Sequence, residues 1–213
     1  MKVVLIGATG FVGSALLQEL LARGHQVLAL ARNSAKLAPQ EGMQALQADV
    51  MDPEAVAAAA AQADAVISAF NPGWTHPALY EDTVRGYDAI AQGVAKAGRR
   101  LLVVGGAGSL YVAPGLQLVD TPEFPAEWKA AALAAREVLK RLQSNRLGLA
   151  WSYVSPPAHL VPGERTGNYR LGQDDLLTDA QGHSSISVAD LAVALVDELG
   201  APAHQGKRFT VAY

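Results

Sequence analysis

The chain has 213 residues, half of them apolar, and a net charge of −3, enough for one domain with a sizeable core. It lacks the basic block that nucleic acid calls for, no basic run exceeding two residues, as at Arg99-Arg100, and without cysteine it has no disulfide, thiolate chemistry or cysteine-held metal. No stretch reads as a membrane span, and a core strand begins at the first residues, so a cytoplasmic protein without a signal peptide is expected.

Val3 to Ile6 is a short, unbroken, β-branched run, the pattern of a strand buried on both faces. Gly7, Gly10 and Gly13 follow as Gly-x-x-Gly-x-x-Gly, overlapping the helical spacing of Phe11, Ala15, Leu16 and Leu20, which predicts a helix over about Gly10 to Arg23. A strand, a glycine turn and a helix start aim free N–H groups and the positive end of the helix dipole at one spot, which suits a diphosphate. Gly7 permits the tight turn, Gly10 lets the diphosphate approach the backbone, and Gly13 lets the helix lie close to the sheet. Thr9, Phe11 and Val12 share that turn and count with the glycines as cofactor contacts. The plainer reading is a βα turn that binds nothing.

Gln26 to Ala31 is the second strand. Roughly 20 residues past the glycines, an NAD-binding chain carries an acidic residue for the ribose 2′-OH. Here stand Arg32-Asn33-Ser34. A guanidinium can clamp a 2′-phosphate that a carboxylate would repel, so NADP(H) is preferred over NAD(H), unless Arg32 is simply solvated. Met43 to Ala48 is the third strand. At its end Asp49 could accept from an adenine amino group, or serve structure, and Val50 could pack on the ring. Asp52-Pro53-Glu54 caps and starts a helix.

Ala65 to Ala69 is the fourth strand. Its exit, Phe70-Asn71-Pro72-Gly73-Trp74, lies at the carboxyl edge of the sheet, where ligands bind in open α/β folds; Ala69, Phe70 and Asn71 are counted as cofactor contacts. A long helix lies between Pro77 and Ala97. Leu101 to Val104 is strand five, opening into a glycine-rich stretch in which Gly105 allows close backbone approach and Ser109 and Tyr111 offer hydroxyls. A helix spans about Ala126 to Gln143, and Leu149 to Val154 is strand six, followed by Ser155 and Pro156 as further cofactor contacts. Residues 155–185 are long for a plain connection and read as a substrate-side flap. Ser185 to Asp190 opens the last helix, with Ser187 and Asp190 spaced as a capping-box variant, and Arg208 to Tyr213 closes as a strand. Strands alternating with helices predict an α/β fold, a doubly wound parallel sheet of the Rossmann type, as one domain over 1–213 with a small C-terminal lobe.

The glycine pattern, Arg32, Asp49-Val50, the glycine-rich exit of strand five and Ile186-Ser187-Val188-Ala189-Asp190 together resemble the atypical short-chain dehydrogenase/reductases. Within them the chain is similar to the NmrA-like NAD(P)H-binding group, and in particular to proteins labelled NADH-flavin reductases. Gly108-Ser109-Leu110-Tyr111, Phe124-Pro125, Trp151-Ser152, Ser155-Pro156, the run Pro162 to Gly167 and Arg208-Phe209-Thr210 carry that likeness through the C-terminal half. The resemblance implies a dinucleotide-binding domain with a small lobe over the nicotinamide.

The superfamily's usual Tyr-x-x-x-Lys pair is missing. Four residues after Tyr87, Tyr111 and Tyr153 stand Ala91, Gly115 and Pro157, and the helix after strand five carries Trp128-Lys129 and then alanines. Ser109 matches the serine of the usual triad without its partners. Alcohol dehydrogenation by that route is disfavoured. Reduction of a flat acceptor such as flavin or quinone needs less, because the protein mainly aligns two rings for direct hydride transfer. An NAD(P)H-dependent reductase of a small-molecule acceptor is therefore expected, with Ser109, Tyr111 and His159 as candidate catalytic residues and Phe70 and Trp74 as cleft walls. The alternative is a non-catalytic NADP(H)-binding redox sensor. The histidines show no metal-ligand spacing, and the oligomeric state stays open.

Overall fold

The computed structural model describes residues 1–213, with every side chain except that of Lys36. In chain order the elements are β1 Lys2–Ile6, α1 Phe11–Ala22, β2 Gln26–Ala31, β3 Met43–Gln47, α2 Pro53–Ala60, β4 Ala65–Ser68, α3 Leu79–Lys96, β5 Arg100–Val104, β6 Tyr111–Ala113, β7 Leu116–Gln117, α4 Ala126–Ser144, β8 Trp151–Ser155, β9 His159–Val161, β10 Arg170–Gly172, β11 Ser185–Ser187, α5 Val188–Gly200 and β12 Lys207–Ala212. The main sheet has the order β10-β12-β8-β5-β4-β1-β2-β3. Every pairing in it is parallel except β10 with β12. The order reverses between β1 and β4, which opens a crevice at their carboxyl ends.

Alternating residues of β1 feed two cores. Val3 and Leu5 pack with Leu16 and Leu20 of α1 and Leu191 and Leu195 of α5. Val4 and Ile6 pack with Val56 of α2, Ile90 of α3 and Val138 of α4. Helices on both faces explain why β1 reads as continuous apolar sequence rather than as an alternation. No helix among the described residues is long and apolar enough to cross a membrane.

The seven parallel strands lie where the sequence places them. The additional strands are short: β6 pairs with β7, β9 with β11, and β10 joins the sheet edge. Ser185 to Ser187 forms β11 rather than the first turn of the last helix. Ser187 does cap α5, its Oγ accepting from the Asp190 N–H at 3.0 Å. The reciprocal half of a capping box does not form. Asp190 is fully buried, and its carboxylate accepts from the backbone N–H groups of Thr166 and Gly167 at 2.9 and 2.8 Å, the Thr166 hydroxyl at 2.6 Å and the Tyr213 hydroxyl at 2.8 Å. Next to it, Arg165 forms a two-pronged ion pair with Glu19 of α1 at 2.7 and 2.9 Å, and the Ser187 hydroxyl donates to the Glu164 carbonyl. The stretch 164–167 is thereby fastened to α1 and α5.

These carboxylates should make the fold acid-sensitive. Hydrogen bonds from Arg165, acting against burial, hold the Glu19 carboxyl below its ordinary range. Burial would raise Asp190 and also Glu198 of α5, but the donors around each, for Glu198 the His204 ring, the Ser152 hydroxyl and the N–H groups of Ala203 and His204, more than offset it and lower both. A carboxyl lowered on folding contributes stability above its unfolded pKa and loses it as pH falls through the folded value. The contribution of these carboxylates to the urea midpoint should therefore be constant above about pH 5 and be lost progressively below about 4. Asp190→Ala, which strips four donors of their acceptor, should cost about 2 kcal/mol at pH 7 and shrink that acid-side loss. An unchanged midpoint in Asp190→Ala would refute the anchoring role.

Candidate functional site

The crevice between β1 and β4 is shaped by glycine. Gly7 has φ +87°, and a Cβ there would lie 2.5 Å from the Ala69 carbonyl oxygen. At Gly13 a Cβ would lie 1.9 Å from the Gly7 carbonyl oxygen, so α1 rests directly on the turn. Gly10 differs. It is exposed, and a Cβ would meet nothing nearer than 3.4 Å. The fold therefore does not need glycine at that position, whereas a ligand approaching the backbone does.

Among the described residues Asp52 and Ser187 cap α2 and α5 with their side chains, whereas α1, like α3 and α4, has no side-chain cap. The first-turn N–H groups of Phe11, Val12 and Gly13 have no partner within their own helix, and they gather at the positive end of its dipole. Thr9 and Phe11 are exposed around them and Val12 is half-buried. A depression of about 440 Å³ adjoins the turn, lined by Ala8, Thr9, Ser14, Gln18, Leu37 and Gln40. A larger groove of about 590 Å³ lies elsewhere, between α3 and the C-terminal half of α4, and none of the candidate site residues lines it.

Arg32 is exposed directly after β2. Asp49 is exposed, and its Oδ1 accepts from the Met51 N–H at 3.0 Å. Val50 is buried in the core on the α2 side. At the end of β4, the Ala69 N–H donates to the Ile6 carbonyl, and Asn71 turns its side chain onto the Gly73 N–H at 2.7 Å. Phe70 packs edge-on against Tyr87, with ring centroids 5.9 Å apart. Its ring lies where a side chain at Gly86 would be, 2.3 Å from an added Cβ. Gly86 is a contributor that sequence reasoning missed; glycine inside a long helix, where it costs about 1 kcal/mol relative to alanine, was the available signal.

Beside them, Gly105 admits the Tyr153 ring, which would otherwise lie 1.9 Å from a Cβ. The Tyr153 hydroxyl donates to the Ala135 carbonyl at 2.9 Å. That of Tyr87 faces the carbonyls of Val104, Ser68 and Phe70 at 3.3 to 3.4 Å. Burial pushes Tyr87 up to about 12 and Tyr153 higher still. Both hydroxyls are engaged with backbone in the interior, and neither is tuned for proton transfer near neutral pH. Lys129 and Trp128 at the start of α4 are exposed, as is Trp74.

Ser155, at the carboxyl end of β8, is fully buried, and its Oγ has no hydrogen-bond partner among the described residues. Its carbonyl accepts from Thr210 Oγ1 at 2.7 Å, and Pro156 is buried next to it. An orphaned buried hydroxyl is costly and gains from a ligand that supplies a partner. Ser109 is buried and held by Arg208. Tyr111 is half-buried, its backbone laced to residues 174–176. His159 is exposed at the start of β9, its N–H bonded to the Ser184 carbonyl. The contacts that Asp190 and Arg208 make were beyond local spacing, since their partners lie 24 and 99 residues away.

The glycine cradle, the uncapped helix and the orphaned Ser155 hydroxyl fit a dinucleotide lying across the carboxyl edge. Comparison with known proteins supports a nicotinamide dinucleotide as the ligand. The NAD(P)H-binding family model matches residues 7–202. The uncharacterised protein YwnB of Bacillus subtilis is 42% identical, over 99% of this chain and 98% of its own. A crystal structure of a candidate epimerase from Bacteroides thetaiotaomicron superposes with a TM-score of 0.92 at 46% identity, covering 100% of this chain and 96% of that one. The structure of a candidate NADH-flavin reductase from Streptococcus pneumoniae gives 0.87 at 35% identity, covering 100% and 99%. The chain belongs to the NAD(P)H-binding family, with a Rossmann fold.

Proposed function

We propose that this protein is an NADP(H)-dependent reductase of a flat small-molecule acceptor, such as a flavin or quinone, that works without a Tyr/Lys proton relay. The observation that carries the reading is the pairing of an open glycine cradle with tyrosines whose hydroxyls are buried against backbone carbonyls. Gly7, Gly10 and Gly13, with the N–H groups of Phe11 to Gly13, hold the diphosphate. Arg32 takes the 2′-phosphate, Asp49 and Val50 border the adenine, and Ala69, Phe70, Asn71, Gly105, Ser155 and Pro156 line the path toward the nicotinamide. When bound, the cofactor supplies a hydride.

The chain's own work is then alignment and exclusion of water. Phe70, seated on Gly86, provides a flat apolar wall, and Ser109 and Tyr111 offer hydroxyls to the acceptor's polar edge. His159 stands at the rim, where residues 155–185 form the substrate-side flap. The relatives' names divide between epimerase and NADH-flavin reductase. Epimerisation through a ketone intermediate calls for an acid–base pair that Tyr87 and Tyr153 are not placed to provide, which favours the reductase.

Purified protein should oxidise NADPH in the presence of FMN, FAD or a quinone well above the no-enzyme rate. Turnover equal to that control with all three would count against the reductase and favour the redox sensor, which should instead bind NADPH and NADP⁺ with different affinities.

A further inference from the structure

Arg208 sits on β12 facing Tyr153 across the ladder to β8. It is a guanidinium buried to 7% exposure, an expensive placement unless every donor is used. Its donors are spent on two segments. Nη1 donates to the Ser109 carbonyl at 2.8 Å and to Ser109 Oγ at 3.0 Å. Nε and Nη2 donate to one oxygen of Asp174 at 2.8 and 2.5 Å, and Nη2 also faces the Asp174 carbonyl at 3.4 Å. The same two segments are laced together above it. The Tyr111 N–H donates to the Asp174 carbonyl and the Leu176 N–H to the Tyr111 carbonyl, each at 2.9 Å.

One planar fork thus fixes the turn carrying Ser109 and Tyr111 against a stretch of the 155–185 segment. It also settles what the serine hydroxyl can do. With a charged donor on its oxygen, the buried Ser109 hydroxyl keeps its own hydrogen for a further acceptor, and a charge-assisted bond on the oxygen strengthens that donation. Lysine would supply charge but not the fork, so it could not hold both segments in one plane.

We propose that Arg208 is the positioning residue for the acceptor. By bridging Ser109 and Asp174 it orients the Ser109 hydroxyl as a donor and sets Tyr111 at the acceptor side of the cleft, while leaving dinucleotide binding to the glycine cradle. This rests on the reductase reading above.

The test measures acceptor KM and kcat, NADPH Kd, FMN binding by fluorescence quenching, and amide hydrogen exchange over 107–111 and 174–176. The variants are Arg208→Met, Arg208→Lys, Asp174→Asn, Ser109→Ala and the Ser109→Ala/Arg208→Met double. Arg208→Met should weaken acceptor KM and FMN binding about tenfold while NADPH Kd stays within about twofold. Arg208→Lys should recover part of the loss. Exchange should rise in both segments together, and the double variant should be no worse than Arg208→Met, because the two residues act through one hydroxyl. Should Arg208→Met fail to fold, Arg208→Lys and Asp174→Asn carry the same comparison, with smaller acceptor losses expected. Folded variants with unchanged acceptor binding and exchange would overturn the assignment, as would additive losses or an equal loss of NADPH affinity. Wild type that reduces no acceptor would instead overturn the reductase reading, and FMN binding and exchange in the variants would still decide the role of Arg208.

Discussion

Gly10→Ala and Gly13→Ala should part company, although both replace a glycine of one turn. At Gly13 the new methyl group would lie 1.9 Å from the Gly7 carbonyl oxygen and 2.5 Å from its carbon. Both atoms belong to backbone packed on the sheet, so α1 must lift from the turn. An overpacking cost of about 3 kcal/mol follows, and with the first-turn amides displaced, NADPH affinity should fall about a hundredfold. At Gly10 the methyl group meets no atom within 3.4 Å, so stability should stay within about 0.5 kcal/mol of wild type. It would stand where the diphosphate approaches, and affinity should still drop about tenfold or more. Urea midpoints and calorimetric NADPH titrations of the two variants separate these effects. A Gly10→Ala protein that binds NADPH like wild type would show that the diphosphate does not lie against this turn.

Arg32→Ala should divide the two cofactors. Arg32 is exposed past the end of β2, where its fork can meet a 2′-phosphate with two charge-assisted bonds. Removing it should weaken NADPH by about tenfold to a hundredfold and leave NADH within about twofold. Salt should narrow the gap between wild type and variant, because the pair is solvent-accessible. Equal losses for the two cofactors, or none, would remove Arg32 from the 2′-phosphate site and with it the basis for preferring NADP(H).

What the sequence disclosed follows from what is local. β1, the glycine turn and α1 are contiguous, and buried strands and helix faces leave periodicities in the sequence itself. Strands β2, β4 and β5 could be read the same way, because each is a separate apolar run. The short strands β6, β7, β9, β10 and β11 span two or three residues each. Such segments are too brief to show alternation, and partners distant in sequence determine their pairing. Ser187 and Asp190 illustrate the limit. Their spacing disclosed the cap, but nothing local disclosed that the Asp190 carboxylate turns away to hold Thr166 and Gly167. Arg208 was visible only as part of a phrase shared with a family, and its reach to Ser109 and Asp174 is a property of the folded sheet edge. Gly86 was hidden for a related reason: a helical glycine marks a close approach without naming the ring that approaches.

A dinucleotide should lie across the carboxyl edge with its diphosphate on the bare amides of the first βα turn. A crystal structure of the protein grown with saturating NADP⁺ tests it most directly. The diphosphate should contact the N–H groups of residues 11–13, the 2′-phosphate should meet Arg32, and the nicotinamide should lie toward Ser155. A diphosphate bound elsewhere, or a turn without nucleotide at saturation, would contradict the account.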